Sequence, residues 1–126
     1  MPRRSLDIEG FAHENPIPTG TRLGPLLVSS IVAPFDPGTR KTPADGLAQV
    51  RNLFTHMGNI LTEGGATWDD VAKITFFVTD ISLRGVINGP WAEHFPDPAS
   101  RPSRHTLVVP GEGVRVTSEL LAYVEG

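Results

Sequence analysis

The sequence predicts an α+β fold in which one sheet carries two helices on one of its faces. Segments with strand and helix patterns follow one another in the order β-β-α-β-α-β-β along 126 residues. An apolar content of 39% and a charged content of 20% are typical of a globular chain. The length is that of one domain, so we expect residues 1–126 to fold as a single two-layer sandwich.

Strand patterns dominate the N-terminal third of the chain. Ser5–Glu9 reads as a short strand, and residues 13–20 read as a loop because they contain two prolines and a glycine. Gly24-Pro25 predicts a tight turn. The apolar run Leu26–Ala33 that follows is typical of a strand buried on both faces.

A long amphipathic helix is predicted next. Thr42 is a candidate N-cap, with Pro43 at the first helical position, and Gly64-Gly65 supplies a stop signal. The apolar stripe recurs every three or four residues, at Leu47, Val50, Phe54, Met57 and Leu61. We expect this helix to lie across the sheet.

The second half of the chain repeats this alternation. A capped turn at residues 67–70 precedes a strand over Val71–Thr79, and a second helix is predicted over Ser82–Phe95. Two strands close the chain, Arg104–Val109 and Val114–Val124. The helices cover one sheet face, and the other is too apolar to face water, so we expect a closed homo-oligomer that buries it.

Composition excludes several classes of function. The net charge of −3 and the absence of a basic cluster disfavour nucleic-acid and anionic-membrane partners. With no cysteine and four scattered histidines, the chain offers no metal-ligand spacing, so we expect no metal site. No secretory signal or membrane-spanning run is found, and we expect a cytoplasmic protein.

Arg104 is the first candidate functional residue. It opens a predicted strand directly after a proline-rich loop, where a guanidinium can hold a carboxylate through two parallel hydrogen bonds. The two-residue period of a strand places Thr106 on the same face, with His105 and Leu107 on the other. The alternative is an ordinary surface arginine at a strand start.

Glu119 is the second candidate. It lies in the middle of a mostly apolar strand, where a carboxylate is costly unless it is paired or solvated. It shares a strand face with Arg115, Thr117, Leu121 and Tyr123. The alternative is a solvent-facing charge paired with Arg115.

Several short motifs occur in a fixed order along the chain. They are Ser30 followed by Pro34-x-x-Pro37-x-Thr39, Gln49 with Asn52, Gly65 with Asp70-Val-x-Lys73-x-Thr75-x-Phe77-Val, Val86-x-Asn88, Arg101-Pro-x-Arg104, and Ser-Glu119-x-x-Ala122. In this order and spacing, from about residue 13 to residue 124, the chain resembles the RidA/YjgF family of reactive intermediate deaminases, also called endoribonuclease L-PSP.

The resemblance implies a chorismate-mutase-like fold with a mixed sheet of about six strands and two helices on one face. It also implies a homotrimer that binds a small carboxylate substrate between subunits without a cofactor. In active members, an arginine matching Arg104 holds the substrate carboxylate. A glutamate matching Glu119 positions or activates the water that hydrolyses an imine or enamine to a carbonyl compound and ammonia.

The resemblance also assigns the substrate-binding positions. Asn88 and Thr106 match residues that line the family cleft, and Ser30 precedes a position that is usually glycine, where this chain has Ile31. Ile17 occupies the place of a tyrosine that often covers the ligand. These departures narrow or dry the pocket and disfavour simple 2-imino acids such as 2-iminobutanoate as the natural substrate. The His13-x-Asn-Pro-Ile-Pro18 and Ser100-Arg-Pro-Ser-Arg-His-Thr106 signatures resemble a divergent branch, for which a 2-aminomuconate-like enamine is a candidate substrate by analogy.

Three hypotheses follow. The preferred one is an imine or enamine deaminase. The second is a non-catalytic carboxylate-binding or protein-interaction trimer on the same scaffold, which the apolar Ile31, Val32 and Ile17 favour. The third, a ribonuclease, is disfavoured by the acidic net charge.

Overall fold

Two α-helices and six strands make up the fold of this chain in the computed structural model, which describes residues 2–125. In chain order they are β1 Arg4–Leu6, β2 Gly20–Leu23, β3 Leu26–Ser29, α1 Gly46–Glu63, β4 Val71–Val78, α2 Leu83–His94, β5 Ser103–Val108 and β6 Val116–Tyr123.

The strands form one mixed sheet in the order β1-β2-β3-β6-β4-β5. All neighbours pair antiparallel except β4 and β5, which run parallel because α2 connects them as a crossover. Strands β1 and β5 are therefore the two edges. This confirms the predicted two-layer α+β sandwich with a mixed sheet.

The period-two pattern of β6 separates the two faces of the sheet. Val116, Ser118, Leu120 and Ala122 are buried in the core beneath the helices. The opposite face is uncovered and carries large apolar side chains, among them Leu107 (50% exposed) and Tyr123 (56% exposed). We call this uncovered surface the open face.

Helix α1 begins later than the sequence pattern predicts. Asp45 is the N-cap, because its carboxylate accepts a hydrogen bond from the Ala48 amide at 3.0 Å. The prediction of Thr42 as N-cap was therefore wrong. The predicted stop is confirmed at Gly64, but Leu47 is 39% exposed and does not belong to the buried stripe.

The N-terminal strands differ most from the prediction. The Gly24-Pro25 turn is present and joins β2 to β3. Strand β2 was not predicted, because its four residues are of mixed polarity and give no strand pattern. Strand β3 ends at Ser29 rather than Ala33, and β1 begins one residue earlier and ends sooner than predicted. The later elements lie within two residues of their predicted bounds. Among residues 2–125, no helix combines the length and apolar character needed to cross a membrane.

Candidate active site

Arg104 lies on edge strand β5 and points to the helix side of the sheet. It pairs with Ile74 of β4, a fully buried core residue, and paired residues on neighbouring strands share a face. Its guanidinium carbon lies 5.1 Å from the centre of the Trp91 ring, and its Nη2 donates a hydrogen bond to Asn88 Oδ1 at 2.8 Å. Helix α2 therefore fixes the guanidinium by an aromatic face and an amide oxygen.

Among the residues that the structure describes, the charge of Arg104 is not neutralised by an acid. Within residues 2–125, no carboxylate lies within 4 Å of its guanidinium. Partial burial lowers the pKa of Arg104 from its ordinary value, and the nearby positive charge of Arg84 lowers it further. A half-buried cation whose contacts are an aromatic ring and a neutral amide is suited to binding an anion.

Thr106 shares the face of Arg104, as its spacing predicts. It lies opposite Phe76 of β4 and is half-buried. His105 pairs with Thr75 and belongs to the open face. The structure therefore brings Arg104, Asn88 and Thr106 to one side of the sheet, between β5 and α2. We call these three residues the arginine half-site.

Glu119 lies on the open face. It pairs with Thr75, so its side chain shares a face with Thr75 and His105 and not with Arg104. It lines a hollow of about 220 Å³, together with Val28, Lys73, Thr75, Leu120 and Leu121. No cation comes within 4 Å of Glu119 in the described part of the chain, so the alternative of a pair with Arg115 is not formed.

An irregularity in the sheet surrounds Glu119. The Val28–Leu121 pair and the isolated Val32–Ser118 bridge enclose three residues on the β3 side and two residues on the β6 side. The extra residue is the signature of a β-bulge, and bulges redirect side chains beside functional sites. Glu119 is one of the two residues that face this bulge.

Ser30 and Ile31 belong to the bulged segment. The Ser30 amide donates to Thr19 O at 2.9 Å, and its hydroxyl donates to Pro18 O at 2.7 Å, which ties the segment to the loop before β2. Ile31 is 44% exposed and lines an apolar hollow of about 180 Å³. We call Glu119 and the Ser30-Ile31 segment the glutamate half-site.

Ile17 lies in the loop that precedes β2. It is 44% exposed and borders a third hollow, of about 340 Å³, with His13 and Asp7. Its neighbour Pro18 accepts the Ser30 hydroxyl, so the backbone of this loop adjoins the glutamate half-site.

Sequence reasoning missed two residues of the arginine half-site's surroundings. Neither Trp91 nor Arg84 was singled out as a candidate functional residue. Arg84, Asn88 and Trp91 follow the spacing i, i+4, i+7 and therefore share one face of α2. Applying this helical spacing to Asn88 in both directions along the sequence would have identified Arg84 and Trp91. Residues 2–125 contain no cluster of three or more potential metal ligands.

The model of the family described as endoribonuclease L-PSP matches residues 11–124. The chain belongs to the endoribonuclease L-PSP family. This confirms the resemblance to RidA and YjgF proteins. A curated relative, the 2-iminobutanoate/2-iminopropanoate deaminase of Escherichia coli K12, is 30% identical over 95 residues, which cover 75% of this chain and 74% of that protein. A RutC family protein of Haemophilus influenzae is 32% identical over 75 residues, covering 60% of this chain but only 58% of that protein.

Solved structures share the fold of this chain. The crystal structure of the Escherichia coli YjgF gene product superimposes with a TM-score of 0.86 at 25% identity, covering 97% of this chain and 99% of that one. RidA from the Antarctic bacterium Psychrobacter sp. PAMC 21119 gives a TM-score of 0.87 at 22% identity, covering 96% and 99%. The predicted chorismate-mutase-like architecture is therefore confirmed.

Proposed function

We propose that this protein is a cofactor-independent deaminase. It hydrolyses a small imine or enamine that carries a carboxylate, and the products are a carbonyl compound and ammonia. The observation that carries the proposal is the Arg104 guanidinium, which is held by Trp91 and Asn88 without an acidic partner within 4 Å in residues 2–125. The iminoacid deaminase name of the 30%-identical relative supports the same reaction class.

In the proposed mechanism, Arg104 holds the substrate carboxylate through two parallel hydrogen bonds. Glu119 accepts a proton from a water molecule as the water oxygen bonds to the carbon of the C=N group. The proton passes from Glu119 to the nitrogen, which gives a tetrahedral carbinolamine. As the C–N bond breaks, the hydroxyl of the carbinolamine becomes the carbonyl, and its proton passes through Glu119 to the departing nitrogen, which leaves as ammonia. An enamine first takes up a proton on carbon and loses one from nitrogen, which gives the imine.

Arg104 and Glu119 leave opposite faces of the sheet within one chain, so one small substrate cannot touch both there. We therefore propose that the site forms between two copies, with the arginine half-site of one copy facing the glutamate half-site of the next. A closed homotrimer would complete three such sites and bury the apolar open face. The exposure of Leu107 and Tyr123 on that face supports this assembly.

The side chains around the glutamate half-site bear on the choice of substrate. Ile31 belongs to the bulged segment, Ile17 lies in the loop that Pro18 ties to that segment, and both side chains are 44% exposed. An unsaturated substrate such as a 2-aminomuconate-like enamine would place its flat carbon skeleton against these side chains. The same apolar surfaces favour the second candidate, a trimer that binds carboxylates without catalysis.

The test is ammonia release from imines that an amino-acid oxidase generates in situ. The wild type should accelerate release, and Arg104→Ala should abolish the acceleration. Arg4→Ala, a charge removal on the opposite edge strand β1, is the matched control and should act like the wild type. Carboxylate binding that depends on Arg104, with no ammonia release from any imine or enamine, would instead establish the binding-only function.

A further inference from the structure

Arg84 lies on the α2 face that forms one wall of the arginine half-site. It precedes Asn88 by one helical turn, and Asn88 accepts the hydrogen bond from Arg104. Because α2 connects two parallel strands, it runs opposite to β5. The surface along these two elements therefore has Trp91 and Arg104 toward one end and Arg84 toward the other, with about 10 Å of helix between Arg84 and Trp91.

This surface carries two positive charges. Within residues 2–125, neither Arg84 nor Arg104 has a carboxylate within 4 Å. Arg84 lies one helical turn from Asn88, which contacts Arg104, and its positive charge adds to the lowering of the Arg104 pKa. Asn88 and Thr106 lie between the two arginines along the elements and are uncharged. Two like charges held on one surface are stabilised by a ligand that brings two negative charges.

We propose that Arg84 binds a second carboxylate of the substrate, so that the deaminase acts on dicarboxylic imines or enamines. Arg104 holds the carboxylate next to the reacting C=N carbon, and Arg84 holds the one at the far end of the carbon chain. Asn88 and Thr106 face the atoms between the two. The inference deepens the proposed function and rests on the same arginine half-site.

Binding of keto acids, the products of the reaction, tests this proposal without requiring turnover. 2-Oxoglutarate and 2-oxopentanoate have carbon chains of equal length and differ in the terminal carboxylate. Calorimetry with the wild-type assembly should show that 2-oxoglutarate binds about 10- to 100-fold more tightly, the range for one charged hydrogen-bonded contact. Equal affinities, or no binding of 2-oxoglutarate, would overturn the proposal.

The variant Arg84→Gln assigns the preference to this side chain. It should remove most of the preference for 2-oxoglutarate and change 2-oxopentanoate binding far less, whereas Arg84→Lys should retain part of it. Arg4→Gln removes a charge from the other edge of the sheet and should leave the preference intact. Equal weakening of both ligands by Arg84→Gln would show a general charge effect and contradict the proposal.

The outcomes separate this inference from the proposed function. Rapid deamination of monocarboxylic imines, with no preference for dicarboxylates, would retain the function and refute the role of Arg84. Selective dicarboxylate binding that depends on Arg84, without ammonia release, would retain the role of Arg84 and refute the deaminase.

Discussion

Arg104 and Glu119 project from opposite faces of the same sheet, with β4 between their strands. The register decides this, since Arg104 pairs with the buried Ile74 and Glu119 pairs with the next residue, Thr75. Side chains one residue apart along a strand lie on opposite faces of the sheet, so partners of Ile74 and Thr75 do too. Both residues can contact one substrate only if they come from different copies of the chain.

Mixing two inactive variants should therefore restore activity. Arg104→Ala supplies intact glutamate half-sites, and Glu119→Gln supplies intact arginine half-sites. In trimers reassembled at random from equal amounts, about a quarter of the interfaces combine the two intact halves, so about a quarter of the wild-type rate is expected. The measurement is ammonia release after joint unfolding and refolding. A mixture that remains as inactive as its components would place the whole site within one chain.

Glu119→Gln alone should reduce turnover while preserving ligand binding. The amide has the shape of the carboxylate but cannot accept a proton from water, so kcat should fall by about 10²- to 10⁴-fold. Affinity for a keto acid should change little, because the carboxylate contact belongs to Arg104. The control is Thr117→Ser, which lies on the same face as Glu119 and should retain turnover. The adjacent Ser118 is not a suitable control because it is buried in the core. An unchanged kcat in Glu119→Gln would remove Glu119 from the mechanism.

Asn88→Asp should block the arginine half-site with a carboxylate from the protein itself. The Asn88 amide oxygen already accepts a hydrogen bond from Arg104 at 2.8 Å. An aspartate there would form an ion pair and compete with the substrate carboxylate, so KM should rise about 10- to 100-fold. Asn88→Ala, which removes the contact without adding charge, should raise KM less. If Asn88→Asp raised KM less than Asn88→Ala does, competition by the new carboxylate would be contradicted.

Gln49→Leu should destabilise the fold. Gln49 is fully buried, and its Nε2 donates to Pro43 O (2.8 Å) and Gly113 O (3.1 Å). Its Oε1 accepts from the amides of Arg115 (2.8 Å) and Val116 (3.3 Å). Leucine would leave these backbone groups without their partner, at an expected cost of about 3 kcal/mol or more in the free energy of unfolding.

Denaturant titration measures this change. Leu47→Gln, on an exposed position of the same helix, is the control and should stay within about 0.5 kcal/mol of the wild type. A cost as small as that of the control would show that water replaces the Gln49 bonds.

His56 should make stability depend on pH. Burial lowers the pKa of His56 below its ordinary value of 6.5, and its hydrogen bond to Phe35 O at 2.7 Å offsets this only in part. The unfolded chain then binds more protons than the folded chain as the pH falls below about 6.5, so the free energy of unfolding decreases there. It levels off only below the lowered pKa of the folded state.

Unfolding measured between about pH 5 and 7.5 checks this dependence. His56→Gln, which keeps a donor for Phe35 O, should flatten it, whereas the same change at the exposed His13 should not. An equal slope in the wild type and His56→Gln would assign the pH dependence to other groups.

Local patterns in the sequence were sufficient for most of the fold. The two amphipathic helices, the alternation along β6, the Gly24-Pro25 turn and the family motifs all depend on residues near each other in the chain. The predictions failed where local signals were weak or in competition. Strand β2 has only four residues of mixed polarity, and Asp45 displaced Thr42 because its carboxylate caps the Ala48 amide.

The sequence predicted which residues belong to the candidate site but not how they are placed relative to one another. The period-two rule placed Thr106 with Arg104, because both lie on one strand. It placed Glu119 on one face of its own strand but did not relate that face to the face of Arg104, since the relative orientation of two strands depends on their pairing register.

By itself, the sequence determined the family, the α+β class and the identity of the candidate residues. The tertiary structure alone decided that Arg104 and Glu119 occupy opposite faces and that the α2 face carrying Arg84, Asn88 and Trp91 meets Arg104. The physical reason is that a strand or helix specifies only its own faces, whereas hydrogen-bond register and crossover direction, which are long-range properties, decide which faces meet.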